Sequence, residues 1–239
     1  RMLIKSTGIV LKRMPYSETS YICQLYTRDY GVLSLMLRGA RKRKSPYKTN
    51  LLEPFSLLEV VAYFKENQSL GTVKELKAIH YLQSIRSTIY KTTIAIFCTE
   101  LLQKTLKEEA PNPMLFQFLE SAILWLETAE NHYANFPLFF MGKLTHYLGF
   151  RPHQLEGTYF DYREGEYGNQ QPNHPWHASG ETANLLKQFF TDQIEEAALV
   201  TLNRHKRQQL ITELIRFYSQ HVAGFGHVKS IEVLEAVMD

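Results

Sequence analysis

Apolar and polar residues recur with two different periods along this chain, and the change falls near His80. Before it the period is short, as strands require. Gly8–Arg13 is a first β-rich run and Thr19–Thr27 a second, separated by Met14-Pro15-Tyr16-Ser17-Glu18, whose Pro and Ser favour a turn. Asp29-Tyr30-Gly31 turns the chain into a third run, Val32–Leu37. Phe55–Phe64 is a fourth, and Asn67-Gln68-Ser69 leads to a fifth, Leu70–Ala78. So small a sheet is relieved of its exposed edges by closure, so five short strands predict a barrel. The OB-fold is the common five-stranded solution.

After His80 the spacing becomes helical. Leu82, Ile85, Ile89, Ile96, Leu101 and Leu102 predict one long helix ending near Ala110, before Pro111. Asn112-Pro113 restarts a helix with Asn at the N-cap and Pro at the first position. A third runs through Leu138–Leu148 and stops at Gly149. Residues 149–179 are rich in Gly and Pro and poor in aliphatics, which predicts an irregular loop with a hairpin near Glu164-Gly165-Glu166. Helices resume over 181–191, 194–199, 204–221 and 230–237, the last with Ser230 as N-cap. The expected fold is α+β: a five-stranded OB-fold barrel over residues 1–80, then an all-α helical domain over 81–239 carrying the 149–179 insertion. Arg1 precedes Met2 and is set aside from this argument.

Composition narrows the class. With 239 residues, 44% of them hydrophobic, the chain can bury a sizeable core without staples. Cys23 and Cys98 lie inside apolar runs and read as small buried hydrophobes, which suits a reducing, cytoplasmic setting. No apolar run approaches the length of a membrane span, and no signal core opens the chain. The net charge of +3 conceals an asymmetry. Residues 1–80 hold 14 Lys+Arg against 6 Asp+Glu, a balance of +8. Residues 81–239 hold 13 against 18, a balance of −5. One segment is built to meet a polyanion and the other is not.

The basic charge is concentrated in Arg38-Gly39-Ala40-Arg41-Lys42-Arg43-Lys44-Ser45-Pro46-Tyr47-Lys48, where six of eleven residues are cationic and none is acidic. A cationic connection at the end of a barrel strand is a docking site for backbone phosphates. Arg38, Arg41, Lys42, Arg43, Lys44 and Lys48 are its contacts, with Lys12 and Arg13 as further barrel cations. Tyr16, Tyr47 and Tyr63 are candidates to stack on bases, although a strand tyrosine more often packs. No base-reading pattern stands out, so binding independent of sequence is expected. His153, His174 and His177 lie near Asp161, Glu164 and Glu166, but at no zinc-site spacing. Phosphate-loop, dinucleotide, nucleophile-elbow and zinc-protease motifs are absent. Acidic pairs such as Glu108-Glu109 and Glu195-Glu196 read as solvated helix faces. Nothing argues for an enzyme, and no metal or cofactor is expected. Two rival readings are an adaptor whose basic barrel binds an acidic protein and a metal-dependent hydrolase built on the loop histidines.

The ordered motifs carry a family resemblance. They are Gly8-Ile9-Val10-Leu11, Tyr16-Ser17-Glu18-Thr19, Gly31-Val32-Leu33-Ser34, Arg38-Gly39-Ala40-Arg41-Lys42, Leu52–Glu59 and Leu70–Glu75. In the second half, Pro111-Asn112-Pro113, Leu148-Gly149-Phe150-Arg151-Pro152, Phe217–His221 and Lys229-Ser230-Ile231 fit as well. The chain resembles the RecO family of bacterial recombination mediators over nearly its whole length. The resemblance implies an OB-fold followed by a helical domain, binding of single- and double-stranded DNA, and annealing of complementary strands. It also implies work with RecR to load the recombinase onto DNA coated by single-stranded-DNA-binding protein, whose acidic, apolar C-terminal tail docks on the helical domain. By position, Arg38, Arg41 and Lys42 match the family's basic motif, and Arg43, Lys44 and Lys48 extend it. Lys143, Arg204 and Arg207 are candidates for the tail. Many members carry a four-cysteine zinc site after the Leu148-Gly149 motif. This chain has no Cys beyond Cys98, so that site is absent or replaced.

Overall fold

The computed structural model describes residues 2–106 and 110–237. It divides into two compact units, 1–127 and 128–239. The switch from strands to helices at residue 80 therefore falls inside the first unit, which holds the barrel and three helices.

The barrel strands are β1 (Met2–Pro15), β2 (Tyr21–Thr27), β3 (Gly31–Leu37), β4 (Leu57–Phe64) and β5 (Leu70–Ala78). They close in the order β1-β2-β3-β5-β4, as in an OB-fold. Closure depends on the length of β1. Its first half pairs with β4, from Met2 opposite Phe64 to Ile9 opposite Leu57. Its second half pairs with β2, from Gly8 opposite Thr27 to Pro15 opposite Tyr21. Sequence reading begins this strand at Gly8 and misses Met2–Thr7. The reason is an inverted pattern: Met2 and Leu3 are exposed, whereas Ser6 is buried and donates to the Asp29 carboxylate at 2.6 Å. The register slips between Val10 and Lys12. Val10 and Leu11 are both buried there, and Lys12 and Arg13 both emerge.

The ring is completed by a short parallel pairing of β3 with β5, Ser34–Met36 against Leu70–Thr72. A Cβ on Gly71 would stand 2.5 Å from Phe64 Cζ and 2.7 Å from Leu35 Cδ2, so only glycine permits this approach. Ile4, Val10, Leu25, Leu35, Leu58, Val60 and Val73 fill the interior.

Three helices follow in this unit: α1 (Gln83–Ser87), α2 (Ile89–Thr105) and α3 (Pro113–Thr128). The single long helix expected over 82–110 is thus two. Thr88 adopts extended backbone (φ −100°, ψ 113°) and breaks it, and α2 ends at Thr105. Glu108-Glu109 lies outside the described residues. The Glu127 carboxylate accepts the free N–H groups of Ser84 and Ile85, both at 2.8 Å, and so caps α1. Gln103 of α2 donates to the Leu11 carbonyl at the β1 irregularity. Asn112 caps α3 as the sequence predicts, accepting from Leu115 N–H at 3.1 Å.

The second unit holds α4 (Phe136–Leu148), α5 (Gly180–Lys187), α6 (Ile194–Ala198), α7 (Arg204–His221) and α8 (Ile231–Val237). Helix α4 stops at Gly149, whose φ of +87° suits glycine. The 149–179 segment forms a small sheet, β6 (Tyr159–Asp161), β7 (Glu166–Gly168) and β8 (His177–Ser179), in the order β7-β6-β8. The expected hairpin turn is present: Asp161 Oδ1 accepts from Arg163 and Glu164 N–H at 2.9 and 3.1 Å. Aromatic packing holds the segment. Phe160 stacks on Tyr167 at 4.6 Å and meets Phe217 edge-on at 4.8 Å, and all three rings are buried.

Candidate nucleic-acid interface

The basic loop leaves β3 at Leu37 and returns to β4 at Leu57. Its anchors are apolar: Ala40 and Leu52 are buried in the barrel core, with Tyr47 packed against it. The segments between those anchors face water. Arg38, Arg41, Lys42, Arg43, Lys44 and Lys48 are all exposed. Among the described residues none of them forms an ion pair, whereas three other cations of the barrel do. Lys5 meets Glu59 at 3.5 Å, Arg13 meets Glu53 at 3.4 Å and Arg28 meets Glu120 at 3.7 Å. The loop's charge is thus uncompensated, and its field is free to act on a ligand.

One end of the loop is fixed. The Arg41 N–H donates to the Thr19 carbonyl at 3.1 Å, and its guanidinium donates to the Ser17 carbonyl. The basic loop and the β1–β2 connection therefore form one surface. Arg13 and Arg41 lie 5.5 and 5.8 Å from the ring centroid of Tyr21, so one aromatic ring gathers two cations far apart in sequence. Lys12, beside Arg13, is exposed and has no ion pair among the described residues.

Arg38 enters a second feature. With Met36, Tyr63, Thr72, Leu70 and, from the β4–β5 connection, Lys65, Asn67, Gln68 and Ser69, it lines a groove of about 450 Å³. Met36, Thr72 and Tyr63 sit side by side across β3, β5 and β4. They point outward, because Leu35, Val73 and Ala62 next to them point into the core. Lys74 reaches within 5.8 Å of the Tyr63 ring. OB-folds take oligonucleotides on this side, between the β1–β2 and β4–β5 connections. Of the candidate stacking tyrosines, Tyr16 is 58% exposed, Tyr63 is half-buried at the groove, and Tyr47 serves the core.

The candidates in the second unit are placed differently. Lys143 and Arg151 both reach Asp192 Oδ1 at 2.8 Å, and these two hydrogen bonds hold its carboxyl down to about 2. Arg204 donates to the Glu235 carbonyl at 2.9 Å and remains exposed. Arg207 is only 7% exposed and donates to Asn135 Oδ1 at 3.0 Å and to the Leu202 carbonyl at 3.2 Å. Both acceptors are neutral, and Arg207 lies buried within the second unit, away from its surface.

The loop histidines make structural contacts. His174 Nε2 lies 3.2 Å from Asp161 Oδ2, and His177 Nδ1 lies 2.6 Å from the His174 carbonyl. Among the described residues no three His, Cys, Asp or Glu side chains converge as a metal site would need. Cys23 and Cys98 are buried free thiols, and burial pushes Cys23 up to about 12, far from a reactive thiolate. No described helix is long and apolar enough to cross a membrane.

Comparison with known proteins gives the family of the chain. The family model described as "Recombination protein O N terminal" matches residues 2–82, and "Recombination protein O C terminal" matches residues 86–230. The chain belongs to the RecO family. It is 33% identical to the DNA repair protein RecO of Bacteroides fragilis, across the full length of both chains. It is 34% identical to that of Flavobacterium psychrophilum over 99% of each, and 29% to that of Porphyromonas gingivalis over all of each. The N-terminal match coincides with the barrel that carries the basic loop. Sequence reading did not single out three residues of this surface: Tyr21, Lys65 and Lys74. Tyr21 and Lys74 reach it from strands, beside residues remote in sequence, and Lys65 comes from the β4–β5 connection.

Proposed function

We propose that this protein is a DNA-binding recombination mediator that binds single and double strands and acts without catalysing a reaction. Family membership supports a role in DNA repair and recombination. The observation that carries the binding reading is the basic loop: six exposed cations on an OB-fold, with no carboxylate paired to them among the described residues. Phosphates that dock there release counterions, so affinity falls steeply with salt. Neutralising one strand also lowers its repulsion for a second, which supports annealing of complementary strands. The barrel, residues 1–80, is then the DNA-binding domain.

The finer reading follows the family resemblance. The protein works with RecR in the cytoplasm, and loads recombinase onto DNA coated by single-stranded-DNA-binding protein. The acidic tail of that protein docks on the helical domain at Lys143 and Arg204. Arg207 is left out because it is buried.

The test is a salt-titrated binding assay with fluorescent oligonucleotides, with and without a peptide copying the tail. Reversal of Arg41, Lys42, Arg43 and Lys44 to Glu should abolish binding. Negligible affinity of the unaltered protein at low salt would sink the DNA reading and leave an adaptor for an acidic protein.

A further inference from the structure

At the other end of β4 and β5 from the groove lies a cavity of about 630 Å³, within the first unit. That volume falls within the range of roughly 300–1,000 Å³ typical of small-molecule sites. Leu51, Leu57, Leu76 and Leu82 give it an apolar floor. Lys48, Lys77 and Arg86 surround that floor, and among the described residues no carboxylate lines it, although Glu53 and Glu127 lie near enough to act on Arg86. Arg86 is half-buried and donates to Ser56 Oγ at 2.9 Å, which fixes its guanidinium in the wall. Ser56 is itself positioned by Phe55, a buried bulky residue in left-handed backbone (φ +67°). Tyr81 stands at the cavity and is 77% exposed, the most exposed of the chain's large hydrophobic side chains among the described residues.

We propose that this cavity receives one unstacked nucleobase of a single strand lying along the basic loop. The Tyr81 ring stacks on the base and the cations hold its phosphate. The inference rests on the DNA-binding reading and goes beyond it, because it gives the barrel a way to tell single strands from duplex. Two observations favour a nucleotide. Lys48 is both the last cation of the basic loop and part of the cavity wall, so the phosphate track leads into it. An exposed aromatic face beside an apolar floor suits a planar π-system, and stacking tolerates any base. In a duplex, bases are held in their stack and cannot enter.

The experiment compares the intact protein with Tyr81→Ala and Tyr81→Phe. The ligands are a thymine 15-mer carrying one 2-aminopurine, a duplex of equal length, and an acidic apolar peptide. Tyr81→Ala should weaken single-strand binding about tenfold, within the span of one base–aromatic stack. Its duplex affinity and melting temperature should stay unchanged. Tyr81→Phe should keep the affinity and the 2-aminopurine quenching. Equal losses for strand and duplex, or no loss, would overturn the cavity while the DNA reading stands. If Tyr81→Ala impaired only peptide binding, the cavity would belong to a protein tail. Failure of the unaltered protein to bind either DNA would overturn both readings.

Discussion

Neutralising Lys42, Arg43 and Lys44 to Gln separates charge from fold. These three side chains are exposed and, among the described residues, pair with no carboxylate. Their removal should change stability by no more than about 0.5 kcal/mol. Arg41 is left intact because its guanidinium ties the loop to the Ser17 carbonyl. If all six loop cations meet phosphates of a single strand, log Kobs against log salt should fall with a slope of about −4. The triple variant should show about −2. Between about 50 and about 200 mM salt the unaltered protein should then lose roughly 300-fold in affinity, and the variant roughly 20-fold. Fluorescence anisotropy with a labelled 15-mer gives both slopes, and a thermal melt checks the fold. An unchanged slope with an unchanged melt would show that phosphates dock elsewhere. A collapsed melt would show that the loop is structural.

The second unit gives sharper stability tests. A Cβ on Gly142 would lie 2.0 Å from the Phe189 carbonyl oxygen, so Gly142→Ala should cost about 3 kcal/mol or more, visible as a lowered urea midpoint. Phe160→Ala removes the ring between Tyr167 and Phe217 and should cost about 3–5 kcal/mol, whereas a chelator should leave the melting temperature unchanged because aromatic packing holds the 149–179 segment. The Asp192 carboxyl is depressed to about 2 in the folded state, so its stabilisation is complete above the ordinary value of 3.8 and is lost as pH falls towards 2. Asp192→Asn should abolish that acid-side loss in melts taken between about pH 2 and 4. At neutral pH it should cost under about 1 kcal/mol, because the carboxylate is 60% exposed.

Much of the barrel could be read from period-two alternation, and the basic loop from charge density alone. Caps were legible where the chemistry is local, as with Asn112-Pro113 and Gly149. What escaped depends on partners remote in sequence. Met2–Thr7 reads poorly because Ser6 goes inward to meet Asp29 while Leu3 goes out. The break at Thr88 is hidden because Ile85 and Ile89 keep helical spacing across it, and the α1 cap comes from Glu127. The 149–179 segment lacks aliphatics and so looks like a loop, yet Phe160, Tyr162 and Tyr167 give it a core. Arg207 looked like surface charge because nothing in a basic turn announces Asn135 as its buried partner. The groove is made by strand pairing, which brings Tyr63 into one row with Thr72 and Met36 near Arg38, and the cavity by the basic loop and α1, which bring Lys48 and Arg86 to one wall.

The double pairing of β1 also bears on how the barrel is made. On a growing chain the second half of β1 finds β2 almost at once, since Pro15 and Tyr21 are joined by a short connection. Its first half must wait for β4, more than fifty residues later, before Leu3 meets Tyr63. Until then Met2–Thr7 presents an open edge carrying two solvent-facing apolar side chains, a template for unwanted strand addition. Ring closure is therefore the slow, non-local step of assembly. The same step builds the groove wall at Tyr63, so the nucleic-acid surface comes into being only when the barrel shuts.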